Sequence, residues 1–190
     1  MLLVRCELNA QCLLGFGFEL ADFSTIWSCT ACHVWLAAAF AAHLPARTAS
    51  DILRQLDDSA SLAHQQPTVP LAPLLDGLRG QGLALGIATN DSEVPTRAHL
   101  QGAGILEQFE FIAGSDSGYG GKPAPGQLLA FASQLALDPA RCVMVGDSAH
   151  DLSAGRAAGM ACVAVLTGPS RADDLAPLAD VVLPDIGHLP

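Results

Sequence analysis

The chain holds 190 residues, 51% of them apolar and 15% charged; this suits one globular domain with a real core and excludes a disordered or fibrous chain. Its formal net charge of −10 repels nucleic-acid phosphate and anionic membranes, so neither is an expected partner. A small phosphorylated ligand would need a metal ion and a few local cations to reverse that sign.

The first segment, MLLVRCELNAQC, is interrupted by Arg5 and Glu7 and lacks the pattern of a signal peptide, so the chain is expected in the cytoplasm with its cysteines reduced. Next, CLLGFGF at 12–18 reads as a buried strand. Residues 27–43 read as an apolar helix. Its run VWLAAAFAA between His33 and His43 is too short to cross a bilayer, which takes about 20 residues. Residues 51–64 read as a helix with one polar face, and QQPTVP at 65–70 as a linker. In the apolar stretch, CTACH (Cys29 to His33) matches the pattern of covalent haem attachment, and Cys6, Cys12, Cys29 and Cys32 are enough thiols for zinc. Without an export signal, and beside Trp27 and Trp35, plain buried thiols are the simpler expectation.

From Leu71 onward, short apolar runs alternate with helical stretches. LALGIAT at 83–89, FEFIAG at 109–114, CVMVGD at 142–147, CVAVLTG at 162–168 and DVVLPD at 180–185 read as buried strands. Helices are expected at 71–79, 94–101, 125–135 and 149–158. Pro125 stands where a first helical turn tolerates proline, and Gly159 where a helix stops. Such alternation predicts an α/β fold with a parallel sheet covered by helices on both faces.

Three motifs carry chemistry. In VGDSAHDLSAGRAAG, a strand ends in Gly-Asp and a second aspartate follows four residues later. Asp147 then sits at the carboxyl end of a strand, where open α/β sheets bind ligands. Asp151 sits on the first turn of the next helix, facing the same crevice. Two carboxylates so placed suit Mg²⁺, although acids also simply cap helices. In IATND, Thr89 and Asn90 stand on a strand's rim, where a hydroxyl and helix-opening N–H groups form a small anion cradle. In GGKPAPG, Lys122 is held between glycines and a stiff Pro-x-Pro. The bland alternative is a solvated loop lysine. His150 is expected to face solvent, and Cys142 and Cys162 to lie in the core.

Threonine on one strand end, lysine on a loop, then GDxxxD on a later strand end make an ordered signature. In it the chain resembles the haloacid dehalogenase-type (HAD) phosphatases, and LGIATNDSEVPTRAHL, GSDSGYGGKPAPG and GDSAHDLSAGRAAGM look most like the phosphoglycolate phosphatase-like branch. The resemblance implies a three-layer Rossmann-like sheet plus a reduced helical cap, with residues 1–21 giving the first core strand, 22–70 the cap and 71–190 the rest of the core. By resemblance Thr89 and Asn90 bind the phosphoryl group, and Lys122 holds the nucleophile and phosphate oxygens. Asp147 ligates Mg²⁺, and Asp151 completes the metal site directly or through water. The implied reaction is hydrolysis of a small phosphomonoester such as 2-phosphoglycolate through an aspartyl-phosphate.

The family's first strand ends Asp-x-Asp-Gly-Thr, whose first aspartate attacks and whose second transfers the proton. Aligning LADFSTIW, which begins at Leu20, on the residues after that motif puts Gly15 and Gly17 at the aspartate positions. Neither can attack phosphorus, and Glu19 and Asp22 are displaced along the chain. The resemblance therefore also admits a catalytically inactive relative that keeps the phosphate cradle for a metabolite or partner.

Overall fold

Period-two alternation of apolar residues sets the architecture, because neighbouring residues of a strand face opposite sides of the sheet. In the computed structural model, which describes residues 47–61, 67–168 and 170–189, five strands and their helices follow one another in chain order. They are α1 (Ala49–Ser61), α2 (Leu71–Gly80), β1 (Gly86–Ala88), α3 (Glu93–Gly102), β2 (Phe111–Ala113), α4 (Gly126–Gln134), β3 (Val143–Gly146), α5 (Ala149–Ala157), β4 (Ala161–Val165), α6 (Ala172–Leu175) and β5 (Val181–Leu183). Ladder partners are parallel throughout: Ile87 stands opposite Ile112, Val145 opposite Val163, and Ala164 opposite Val182.

Adjacent strand residues divide between two cores. Ala88, Met144 and Ala164 pack with Leu128 and Phe131 of α4 and Leu152 of α5. Ile87, Val145 and Val165 pack with Leu75 and Leu78 of α2 and Leu100 of α3. Helices thus cover both faces, giving the expected three-layer α/β arrangement.

Most helix bounds fall within a residue or two of expectation. Helix α5 stops where Gly159 takes a left-handed φ of 74°, a conformation that costs glycine least. Pro125 is the residue just before α4. Helix α1 begins at Ala49, ahead of the expected position 51, because Thr48 and Asp51 form a reciprocal cap. The Asp51 amide donates to Thr48 Oγ1 at 3.1 Å, and the Thr48 amide donates to Asp51 Oδ2 at 3.1 Å; this satisfies two helix-end donors.

Several expectations change, and all the expected strands of this region come out shorter, 109–114 as Phe111–Ala113 and 162–168 as Ala161–Val165 among them. The strand expected over 83–89 shortens to Gly86–Ala88, since the Leu85 amide donates to Glu110 Oε2 at 2.8 Å instead of joining the ladder. Among the described residues the sheet is also in two pieces, β2–β1 and β3–β4–β5. The pieces meet through side chains such as Ile87 and Val145, which share one core, and not through a described strand ladder. The expected strand at 12–18, the helix at 27–43 and CTACH lie outside the described residues, as do Glu19, Asp22 and most of the segment assigned to a cap. Helix α1 is the helix described in that segment; it buries Ile52 and Leu56, at 0% and 6% exposure, and packs on α3.

Candidate phosphate and metal site

Parallel strands bring their carboxyl ends to one side, and the exits of β1 and β3 converge on Lys122. Its side chain is 7% exposed, so it is a buried cation and not a solvated loop lysine. Nζ donates to Ala88 O, at the end of β1, over 2.8 Å and to Asp151 Oδ1 over 2.5 Å. A buried ammonium is tolerable only when paired in this way.

Asp151 does two jobs. Its Oδ2 accepts from the Ser148 hydroxyl at 2.7 Å and the Ser148 amide at 3.2 Å, while the Asp151 amide donates back to Ser148 Oγ at 3.3 Å. This capping box opens α5, so the helix-cap alternative and the crevice-facing one are both realised in one carboxylate. Burial alone would raise its pKa; the Lys122 charge and hydrogen bond and the two bonds from Ser148 outweigh that and hold it below the ordinary carboxylate range. The Ser-x-x-Asp spacing at 148–151 is a signal from which this cap could have been read.

Gly146 makes the arrangement possible. A Cβ there would lie 2.3 Å from Asp151 Cβ, so any larger residue would drive the carboxylate off Lys122. Asp147 follows directly on the same rim. Its carboxylate lies against Gly168, beyond the end of β4, where an added Cβ would meet Oδ2 at 2.4 Å. Half-buried His150 is less exposed than expected. Cys142 and Cys162 are core residues, at 5% and 0% exposure, and burial pushes both thiols up in pKa.

Thr89 is buried at the end of β1. Its amide extends the ladder to Ala113 O at 3.0 Å, and its Oγ1 accepts from the Asp91 amide at 3.1 Å. The Glu93 amide donates to Asp116 Oδ1 at 2.8 Å. Several N–H groups of the expected anion cradle are therefore already engaged, and the Thr89 hydroxyl itself donates to Asp91 Oδ2 over a long 3.4 Å, a bond that an incoming phosphoryl oxygen would have to replace. Asn90 faces the Lys122 backbone: Nδ2 donates to Lys122 O at 3.0 Å and Oδ1 accepts from Lys122 N at 2.8 Å. No motif points to Gln127, which is fully buried and whose Nε2 donates to Thr89 O at 2.9 Å and Gly114 O at 3.0 Å. At the outer rim, the Ser92 hydroxyl donates to Asp57 Oδ1 of α1 at 2.9 Å.

Hydrogen bonds thus join Asn90, Lys122 and Asp151, Thr89 is the chain neighbour of Asn90, and Asp147 stands on the rim beside them. Residues 17–159 match the haloacid dehalogenase-like hydrolase family. This chain belongs to that family. A phosphoglycolate phosphatase of Rhodospirillum rubrum is 35% identical over 147 residues, covering 72% of this chain and 61% of the relative. The family chain described here therefore spans less than two thirds of that protein's length. In fold, it resembles a predicted phosphoglycolate phosphatase from Haemophilus somnus, with a TM-score of 0.74 at 21% identity, covering 93% of this chain and 84% of that one. It also resembles a HAD family hydrolase from Deinococcus radiodurans that holds phosphate and sodium, with a TM-score of 0.65 at 25% identity, covering 93% and 82%.

Mg²⁺ requires oxygen donors in near-octahedral array. Among the described residues no group of three or more His, Cys, Asp or Glu side chains is placed to hold a metal. Asp147 offers one carboxylate on the rim, while both Asp151 oxygens are engaged by Lys122 and Ser148. Mg²⁺ is often held by only one or two carboxylates together with waters and substrate phosphate oxygens, so a carboxylate such as that of Asp147 is the right donor type for such an ion, whereas Asp151 is already engaged. No helix among the described residues is long and apolar enough to cross a membrane.

Proposed function

We propose that this site is the phosphate- and ion-holding part of a HAD-type phosphatase centre for a small phosphomonoester, with 2-phosphoglycolate the first candidate. The observation that carries this reading is the buried Lys122 ammonium, held at once by the end of β1 and by Asp151. It puts a fixed positive charge beside Thr89 in an acidic molecule. The Thr89 hydroxyl would donate to a phosphoryl oxygen, and Lys122 would offset charge on the others. Asp147 would hold Mg²⁺, which neutralises phosphoryl charge when bound. Asp151 would fix the lysine. The names of the R. rubrum and H. somnus proteins support the choice of substrate. The buried thiols at Cys142 and Cys162 support a reducing, cytoplasmic setting, and the partner is a small metabolite, not nucleic acid or membrane.

One sequence observation favours a second reading, a binder without turnover: no two aspartates are separated by a single residue anywhere in the chain, and Gly15 and Gly17 occupy the aligned positions. A steady-state assay with p-nitrophenyl phosphate or 2-phosphoglycolate and Mg²⁺ decides between them. The 190-residue chain is expected to match a buffer blank, since positioning alone does not replace a missing nucleophile. Gly15→Asp with Gly17→Asp is expected to gain turnover, which Asp147→Asn then removes. Wild-type turnover abolished by Asp22→Asn would instead make Asp22 the nucleophile and refute the alignment on Gly15 and Gly17.

A further inference from the structure

Gln127 breaks a rule that folded proteins rarely break. It is 0% exposed, yet its Oε1 is buried and accepts no hydrogen bond among the described residues. Buried polar groups are nearly always paired, and those that are not call for a reason. The orientation of the amide is settled by its surroundings: Nε2 faces two carbonyl oxygens, Thr89 O and Gly114 O, and an oxygen there would meet two acceptors. A methionine or leucine would fill the same core space with no orphaned acceptor. What the glutamine adds is a donor pair at one place, just past the last ladder positions of β1 and β2.

The second half of the device is Asn90. Its two bonds to the Lys122 main chain imitate a short stretch of ladder between two loops. Together the two amides connect the Thr89 turn to both ends of the segment 122–127. Gln127 grips the carbonyl of Thr89, and Asn90, the next residue, grips Lys122. The Thr89 hydroxyl and the Lys122 ammonium are thereby fixed with respect to each other, although 33 positions separate them along the chain.

We infer that Gln127 and Asn90 are positioning residues: they set the spacing between the Thr89 hydroxyl and the Lys122 ammonium, and Asn90 acts through Lys122 instead of binding phosphate with its own side chain. This rests on the phosphate-binding reading above. The orphaned oxygen is the cost of having the donor pair where Thr89 needs it, which is the kind of local inconsistency expected at functional sites.

The test uses the full chain and inorganic phosphate, titrated calorimetrically with Mg²⁺ present. Gln127→Met keeps the buried volume and removes the donors. It is expected to bind phosphate roughly tenfold more weakly, because small displacements in such sites cost up to about a hundredfold. Thr89→Val should weaken binding comparably, and the double variant should be no weaker than the weaker single, because Gln127 acts only through Thr89. Additive losses, or unchanged affinity in folded Gln127→Met, would overturn the inference. Unchanged affinity would mark a glutamine that serves packing alone, and additive losses one that affects binding independently of Thr89. If wild type binds no phosphate, or Thr89→Val is silent, the phosphate reading itself fails and the positioning role falls with it. Should Gln127→Met not fold, the wild type decides by NMR. Saturating phosphate is expected to shift the Gln127 side-chain amide signals but not those of Gln108, whose amide donates to Asp76 on another part of the surface. An unmoved Gln127 signal would refute the role.

Discussion

Lys122 and Asp151 form the pair on which the site turns, and their energetics are asymmetric. Both are buried, at 7% and 6% exposure, so neither tolerates losing the other. Lys122→Met leaves a desolvated carboxylate and is expected to lower unfolding stability by about 3–5 kcal/mol, whereas Lys122→Met combined with Asp151→Leu should recover much of it. Urea denaturation at neutral pH measures both. The pH dependence has a definite sign. The folded-state pKa of Asp151 lies below its unfolded value, so its contribution is fully present above the unfolded pKa of about 3.9 and is lost as pH falls through the lower folded value. In Lys122→Met the opposing effect of burial takes over and raises the pKa. That variant is worst at neutral pH, and its deficit against wild type should shrink as the pH is lowered toward 4. A deficit that grows on acidification would show that the carboxylate is not the buried charge.

At the scale of elements, much was legible because the signals are local. The runs LALGIAT and CVMVGD place residues on alternate sheet faces, and Gly159 ends a helix, whatever the rest of the chain does. What escaped the sequence depends on side chains meeting across long separations. Nothing near Gln127 reveals that its amide will reach Thr89 and Gly114. Nothing near Asn90 reveals that its amide will pair with the Lys122 main chain, because a strand exit favours such residues for several purposes. The glycines divide on the same ground. Gly77, exposed within α2, has nothing within 4 Å of an added Cβ, so Gly77→Ala should stabilise by about 0.5–1 kcal/mol through helix propensity alone. Gly155 in α5 lies where a Cβ would meet Cys162 Sγ at 2.7 Å and Met144 Cβ at 2.8 Å. Gly155→Ala should therefore destabilise by about 1–3 kcal/mol through overpacking. Thermal unfolding of the two variants should move in opposite directions; equal shifts would mean that α5 does not pack closely on β3 and β4.

For the whole molecule the governing quantity is charge. A chain with net charge −10 repels phosphate at long range, and one buried lysine does not reverse that field. Part of the Lys122 charge is, moreover, already matched by Asp151. Two routes remain for phosphate to bind: general screening by salt, which acts over a Debye length of about 8 Å at physiological ionic strength, or a specific cation held on the rim by Asp147. The routes separate experimentally. If Asp147 holds the ion, millimolar Mg²⁺ should tighten phosphate binding well beyond what NaCl of equal ionic strength achieves. Asp147→Asn, which keeps the shape against Gly168 and removes the charge, should abolish that excess while leaving the NaCl response intact. Identical responses to the two salts in wild type would reduce the ion to a screening role. An excess that survives in Asp147→Asn would place the cation on other carboxylates of the chain.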